Sequence, residues 1–208
     1  MATQEIDGKG NADALAALIT RAGAQADQGR SLPPVERWNP AFCGDIDMEI
    51  RADGTWFYMG TPIARQALVR LFSTVLRRDE DGKTYLVTPV EKLGIRVVDA
   101  PFLAVEMSVS ERDGLKVLTF RTSVGDVVEA GPGNPLRFVQ DGDTQGLKPY
   151  LLVRGRLEAL LSRAVMYELV EQGETVDVAG QSVFAVQSNG VVFPVMPADA
   201  LAVDVSAQ

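Results

Sequence analysis

Two stretches of this chain read as copies of one unit. Ile63–Leu76 runs IARQALVRLFSTVL and Leu152–Val165 runs LVRGRLEALLSRAV. At a constant offset of 89 residues, Arg65 meets Arg154, Leu68 meets Leu157, Leu71 meets Leu160 and Ser73 meets Ser162. Each copy follows an aromatic-rich extended segment and precedes a polar turn and strands. The pattern predicts an α+β chain made of two similar units from an internal duplication, each a helix packed on antiparallel strands. A duplication also creates a seam, and ligand sites favour the seams between domains.

Length and composition set the outer limits. A chain of 208 residues that is 46% apolar can bury one large core or two of about 100 residues each. Its net charge of −8 argues against a nucleic-acid partner, because binding a phosphate backbone needs a basic face. No apolar run approaches the roughly 20 residues of a membrane span. The N-terminus has no basic start leading into an apolar core, so no secretory signal is read there. With the lone Cys43, these features fit a cytoplasmic protein. The chain has no histidine, which removes Ser-His-Asp and Cys-His nucleophiles and the common zinc sites. No metal site or cofactor is assigned, and there is no glycine-rich phosphate loop.

Hydrophobic periodicity divides the chain further. Residues 1–30 form an extension with a possible short helix over Asp13–Ala24. Residues 31–122 form the N-terminal α+β domain. It opens on a proline-rich strap around Pro33, Pro34 and Pro40. Ile46, Met48 and Ile50 then alternate with Asp45, Asp47 and Glu49, as in a half-buried strand. A helix is predicted from Thr61-Pro62 to Arg77-Arg78, with Ile63, Leu68, Leu71, Phe72 and Val75 on its buried stripe. Residues 123–197 form the C-terminal domain, with a helix over 151–172 and a strong hairpin signal at Asn189-Gly190. Residues 198–208 read as a tail.

Candidate functional residues follow from charge and position. Arg65 and Arg154 fall at the border of the predicted buried stripes. Such arginines either snorkel and pair with a carboxylate, or meet at the seam as a clamp for an anion. Lys92, Arg137 and Lys148 stand near enough in the pattern to add charge. Trp56 and Tyr58 share one strand face, which is either core or a stacking platform for a base. Asp45, Asp47, Glu91 and Asp126 are the carboxylates available to an enzyme or to magnesium. Three carboxylates on one strand face are also what a solvated face looks like.

A further pointer is a resemblance. The segments WNPAFCGDIDMEI, DGTWFYMGTPI, LVRLFSTVLRRDEDG, YLVTPVEKLGI and VVDAPF follow in order from Trp38 to Phe102. VGD, AGPGNPLRF and VRGRLEALLSRAVMYELVE come after them. Over roughly residues 32–195 the chain resembles the bacterial family catalogued as domain of unknown function 1285. The resemblance implies a duplicated two-domain core and a C-terminal unit that is superficially pleckstrin-homology-like. It also implies a nucleotide-like ligand between the domains and a signalling role, and it supplies no reaction. The expectation is therefore a non-catalytic protein that holds a small anionic ligand, of nucleotide type, at the seam, with Arg65, Arg154, Trp56, Tyr58, Lys92 and Arg137 around it. The alternative is a carboxylate- or magnesium-dependent enzyme acting on a small phosphorylated substrate.

Overall fold

The computed structural model describes Ala16 and Ala17, residues 32–142 and residues 146–199. The helix expected over Asp13–Ala24 lies outside these residues except at Ala16 and Ala17, which are helical. The expected tail lies outside them apart from Ala198 and Asp199. The chain divides into two compact units, Met1–Pro101 with Gly155–Leu157, and Phe102–Arg154 with Glu158–Gln208.

The first unit is built on one six-stranded sheet of order β3-β2-β1-β6-β5-β4. Its strands are β1 (Phe42–Ile50), β2 (Trp56–Tyr58), β3 (Thr61–Pro62), β4 (Leu76–Arg78), β5 (Thr84–Val87) and β6 (Lys92–Val97). The hairpins are antiparallel, but the first and last strands, β1 and β6, meet in parallel at the middle. One nine-residue helix, α1 (Gln66–Thr74), joins β3 to β4. Its Phe72 is fully buried and stacks on Trp56 of β2, with ring centroids 6.4 Å apart. Met48, Ile50, Leu76 and Leu86 complete this core. The proline-rich segment forms a short 3-10 turn, Val35–Arg37, followed by extended chain. Buried Arg77 ties it down by donating to the carbonyls of Val35 (2.9 Å) and Trp38 (2.6 Å).

The second unit carries two sheets. The six-stranded one has order β10-β11-β12-β7-β8-β9. Its strands are β7 (Phe102–Arg112), β8 (Leu115–Thr122), β9 (Val127–Glu129), β10 (Leu136–Gln140), β11 (Leu147–Arg154) and β12 (Leu157–Leu161). Residues 101–122, grouped with the first half from the sequence, thus run mainly as β7 and β8 of this sheet. The second helix, α2 (Arg163–Glu171), begins at Ser162, whose hydroxyl accepts from the Val165 amide. A three-stranded antiparallel sheet follows, of β13 (Glu174–Val178), β14 (Gln181–Ser188) and β15 (Val191–Pro197). Asn189-Gly190 turns β14 into β15 with both residues at positive φ.

The fold class differs from the expected α+β. The chain is mainly β, with three sheets and, among the residues described in the two units from 32 to 197, two nine-residue α-helices. The 89-residue repeat is not a repeat of structure. In the second stretch, Leu157, Ala159 and Leu161 are buried while Glu158 and Leu160 are half-buried. That is the two-residue period of a strand, and β12 pairs in parallel with β7. Apolar residues at 157, 160, 161, 164 and 165 satisfy a helical stripe equally well, so local pattern could not separate the two. The pleckstrin-homology-like arrangement is also overturned. The six-stranded sheet has a parallel pair at its middle, and a further sheet follows the helix.

What the two units share is strand order. Numbered from its own first strand, each six-stranded sheet reads 3-2-1-6-5-4, with strands 1 and 6 parallel. The helices lie outside this common plan. One falls between strands 3 and 4, the other after strand 6.

Candidate functional site

The first unit holds a cleft of about 460 Å³, lined by Asp45, Ile46, Arg78, Lys83, Thr84, Ile95, Arg96, Val97, Asp99 and Pro101, with Gly82 and Gly94. Its size is that of a small-molecule site. Cross-strand register explains its floor. Arg78 of β4 stands opposite Thr84 of β5, and Thr84 stands opposite Ile95 of β6. Residues paired this way point to the same face of a sheet. On β1, Ile46 follows Asp45, the partner of Gly94. A single row thus passes from two isoleucines through a hydroxyl to a guanidinium.

The polar end of that row is held in place and only partly satisfied. The Arg78 Nε donates to the Gly82 carbonyl at 3.1 Å, which orients the guanidinium. Its terminal nitrogens meet no carboxylate among the described residues. Thr84 is only 6% exposed, yet its hydroxyl has no hydrogen-bond partner among them. No buried side-chain nitrogen or oxygen among the described residues is left unpartnered, so this hydroxyl is reachable from the cleft rather than sealed. Arg96, by contrast, is bound to Glu49. Gly94 lets the Asp45 carboxylate lie close over its backbone, since a Cβ there would stand 1.9 Å from the Asp45 Oδ1 and turn that side chain away.

On the opposite face, Arg77, Asp79 and Lys92 form a chain. Arg77 donates from Nε to Asp79 at 2.6 Å, and the Lys92 ammonium donates to the same carboxylate at 3.1 Å. The Arg77 hydrogen bond, with lesser help from Lys92, holds the Asp79 carboxyl below the usual aspartate range. Lys92 also lies over the Tyr85 ring. Tyr85 donates to Asp81 at 2.5 Å, and that bond pushes its phenol up to about 12.

The residues singled out from the sequence fall on different elements of the two units. Arg65 is exposed at the N-cap of α1, whereas Arg154 sits on a strand, so the two are not equivalent. Arg154 donates to Asp126 at 2.7 Å and lies 4.7 Å from the Phe102 ring centroid. Trp56 and Tyr58 are buried in the core of the first unit. Burial, and then the charge of Asp47, raises the Tyr58 phenol above its ordinary value. Lys92 belongs to the Asp79 chain. Arg137 pairs with Glu158 and covers the Tyr150 ring. Lys148 lies 3.7 Å from Asp141. Asp45 alone of the four candidate carboxylates lines the cleft. Among the described residues no three His, Cys, Asp or Glu side chains converge as a metal-holding group.

Arg78 and Thr84 were not anticipated. Arg77-Arg78 reads as the end of a helix, and a helix would not separate the pair. In β4 the strand alternation sends Arg77 to the strap and Arg78 to the cleft. Recognising Leu76–Arg78 as a strand was the one signal that would have found the site.

Two sheets of one strand order, one bearing a small polar-ended cleft, define a mainly β fold of two units. The chain belongs to the DUF1285 family. The N-terminal domain of unknown function of that family matches residues 33–100, and its C-terminal domain matches residues 101–195. The crystal structure of a DUF1285 family protein from Silicibacter pomeroyi DSS-3 is similar with a TM-score of 0.78 at 50% identity, over 86% of this chain and 96% of that one. A DUF1285 family protein from Shewanella baltica OS155 is similar with a TM-score of 0.47 at 29% identity, over 60% of this chain and 90% of that one. None of the curated proteins matches the chain. No helix among the described residues is long and apolar enough to cross a membrane.

Proposed function

We propose that this protein is a cytoplasmic sensor that binds a small anion in the cleft of its first unit and does no chemistry on it. The observation that carries the reading is the Arg78 guanidinium. It is oriented through Nε by the Gly82 carbonyl, has no carboxylate at its terminal nitrogens among the described residues, and stands beside the unpartnered Thr84 hydroxyl. A guanidinium so placed offers a two-pronged donor to a carboxylate or phosphate. Lys83 adds a second positive charge at the same rim. The binding role is favoured over an enzyme because the candidate carboxylates are dispersed or already engaged. The Asp126 carboxylate, for example, accepts from Arg154 at 2.7 Å and from the Thr122 hydroxyl at 3.4 Å.

The test is native mass spectrometry on freshly purified protein beside an Arg78→Ala variant. A co-purifying anion should be present on the parent and lost from the variant. Equal retention on both would overturn the placement.

A further inference from the structure

We infer that the anion is a monocarboxylate with an aliphatic body, of medium chain length, rather than a nucleotide; this rests on the small-anion reading above. Three features of the cleft carry it. The first is its lining, which contains no aromatic ring on which a base could stack. Trp56, which would have served, is 2% exposed and stacked on Phe72 inside the core.

The second feature is the floor. Ile46, Ile95 and Val97 with Pro101 make it aliphatic at one end, while Arg78, Lys83 and Thr84 make the other end polar. From Ile46 on β1 to Arg78 on β4 the row crosses three strand spacings, or ~14 Å. A hydrocarbon chain lying across the strands would reach the isoleucines while its head group meets the guanidinium.

The third feature is charge. Arg96 is bound to Glu49, and Asp99 has a partner of its own, which leaves Arg78 and Lys83 as the cations facing Asp45 in the lining. Two cations against one carboxylate suit a single further negative charge at the Arg78 end. A phosphate dianion would bring a second charge into reach of Asp45, which like-charge repulsion disfavours. The Thr84 hydroxyl donates the remaining hydrogen bond to a carboxylate oxygen held by Arg78.

Calorimetry on the full chain separates the possibilities, with octanoate, hexanoate, butyrate, inorganic phosphate and adenosine monophosphate as probes. Octanoate should bind, and affinity should rise about three- to fourfold for each methylene added along the series. Arg78→Ala should weaken octanoate about ten- to hundredfold, and Thr84→Val should weaken it about three- to tenfold with the fold intact. If adenosine monophosphate or phosphate binds and octanoate does not, the aliphatic inference fails while the small-anion reading stands. If none of the five binds, both fail. Octanoate binding that is indifferent to both substitutions would place it elsewhere and overturn the inference. Thr84→Val decides the matter should Arg78→Ala not fold.

Discussion

Ser188 is a fully committed hydroxyl of the second unit. It is fully buried, donates to the Ala130 carbonyl at 2.7 Å and accepts from the Leu118 amide at 2.9 Å. One side chain thus ties β14 to the backbone of β8. Ser188→Ala leaves the Leu118 amide without its acceptor, and it should cost about 1–3 kcal/mol in the denaturant midpoint. Arg77 plays the matching part in the first unit, and Asp79 is what makes its burial tolerable. Because the Asp79 carboxyl is held below the usual range, its contribution is full above about pH 4 and is lost as pH falls through the folded value. Asp79→Asn should therefore lower stability at pH 7 by about 1–3 kcal/mol. The gap should shrink on acidification, so that parent and variant converge in parallel urea titrations once the pH has fallen below the folded value.

The turns show how well short-range signals can be read. Asn189-Gly190, expected as a turn, and Ala179-Gly180 both form with two successive residues at positive φ. Asparagine tolerates that conformation, but Ala179 at φ 54° does not do so without strain. Ala179→Gly should raise stability by about 0.5–1 kcal/mol, visible as a higher melting temperature. Gly173, just past α2, is fixed for a different reason. A Cβ there would lie 2.2–2.8 Å from the Phe184 ring. Gly173→Ala should cost about 1–3 kcal/mol by overpacking, measured in the same way. A strand was legible where polar and apolar residues alternate, as at Asp45–Ile50 within β1. Strands were illegible where leucines crowd. Leu157–Leu161 is a buried strand that also fits a helix, and only its pairing with β7 decides. The same ambiguity hid β4, and with it Arg78. Without β4 the polar end of the cleft has no guanidinium.

At the scale of the molecule, the common order 3-2-1-6-5-4 follows from pairings no local pattern records. In each unit the central contact joins the first strand to the sixth, after the other four have been laid down. Contacts of such sequence separation cost loop-closure entropy before they return anything, and they tend to form late in folding. Leu161→Ala, at the β7–β12 pairing, should thus mainly speed unfolding. Leu118→Ala, in the local β7–β8 hairpin, should mainly slow refolding. Stopped-flow chevrons of the two variants would show the opposite ranking if the central pair forms first.

The parallel closure has a mechanical side as well. In the first unit the chain enters the sheet at Phe42 and leaves it at Val97, on adjacent strands that run the same way. Tension applied between those points slides β1 lengthwise against β6. All the hydrogen bonds of the pair then bear the load together and must fail together, whereas a hairpin pulled from its open end gives way one bond at a time. A chain organised in this way resists being drawn out by its ends far better than its overall stability alone would suggest.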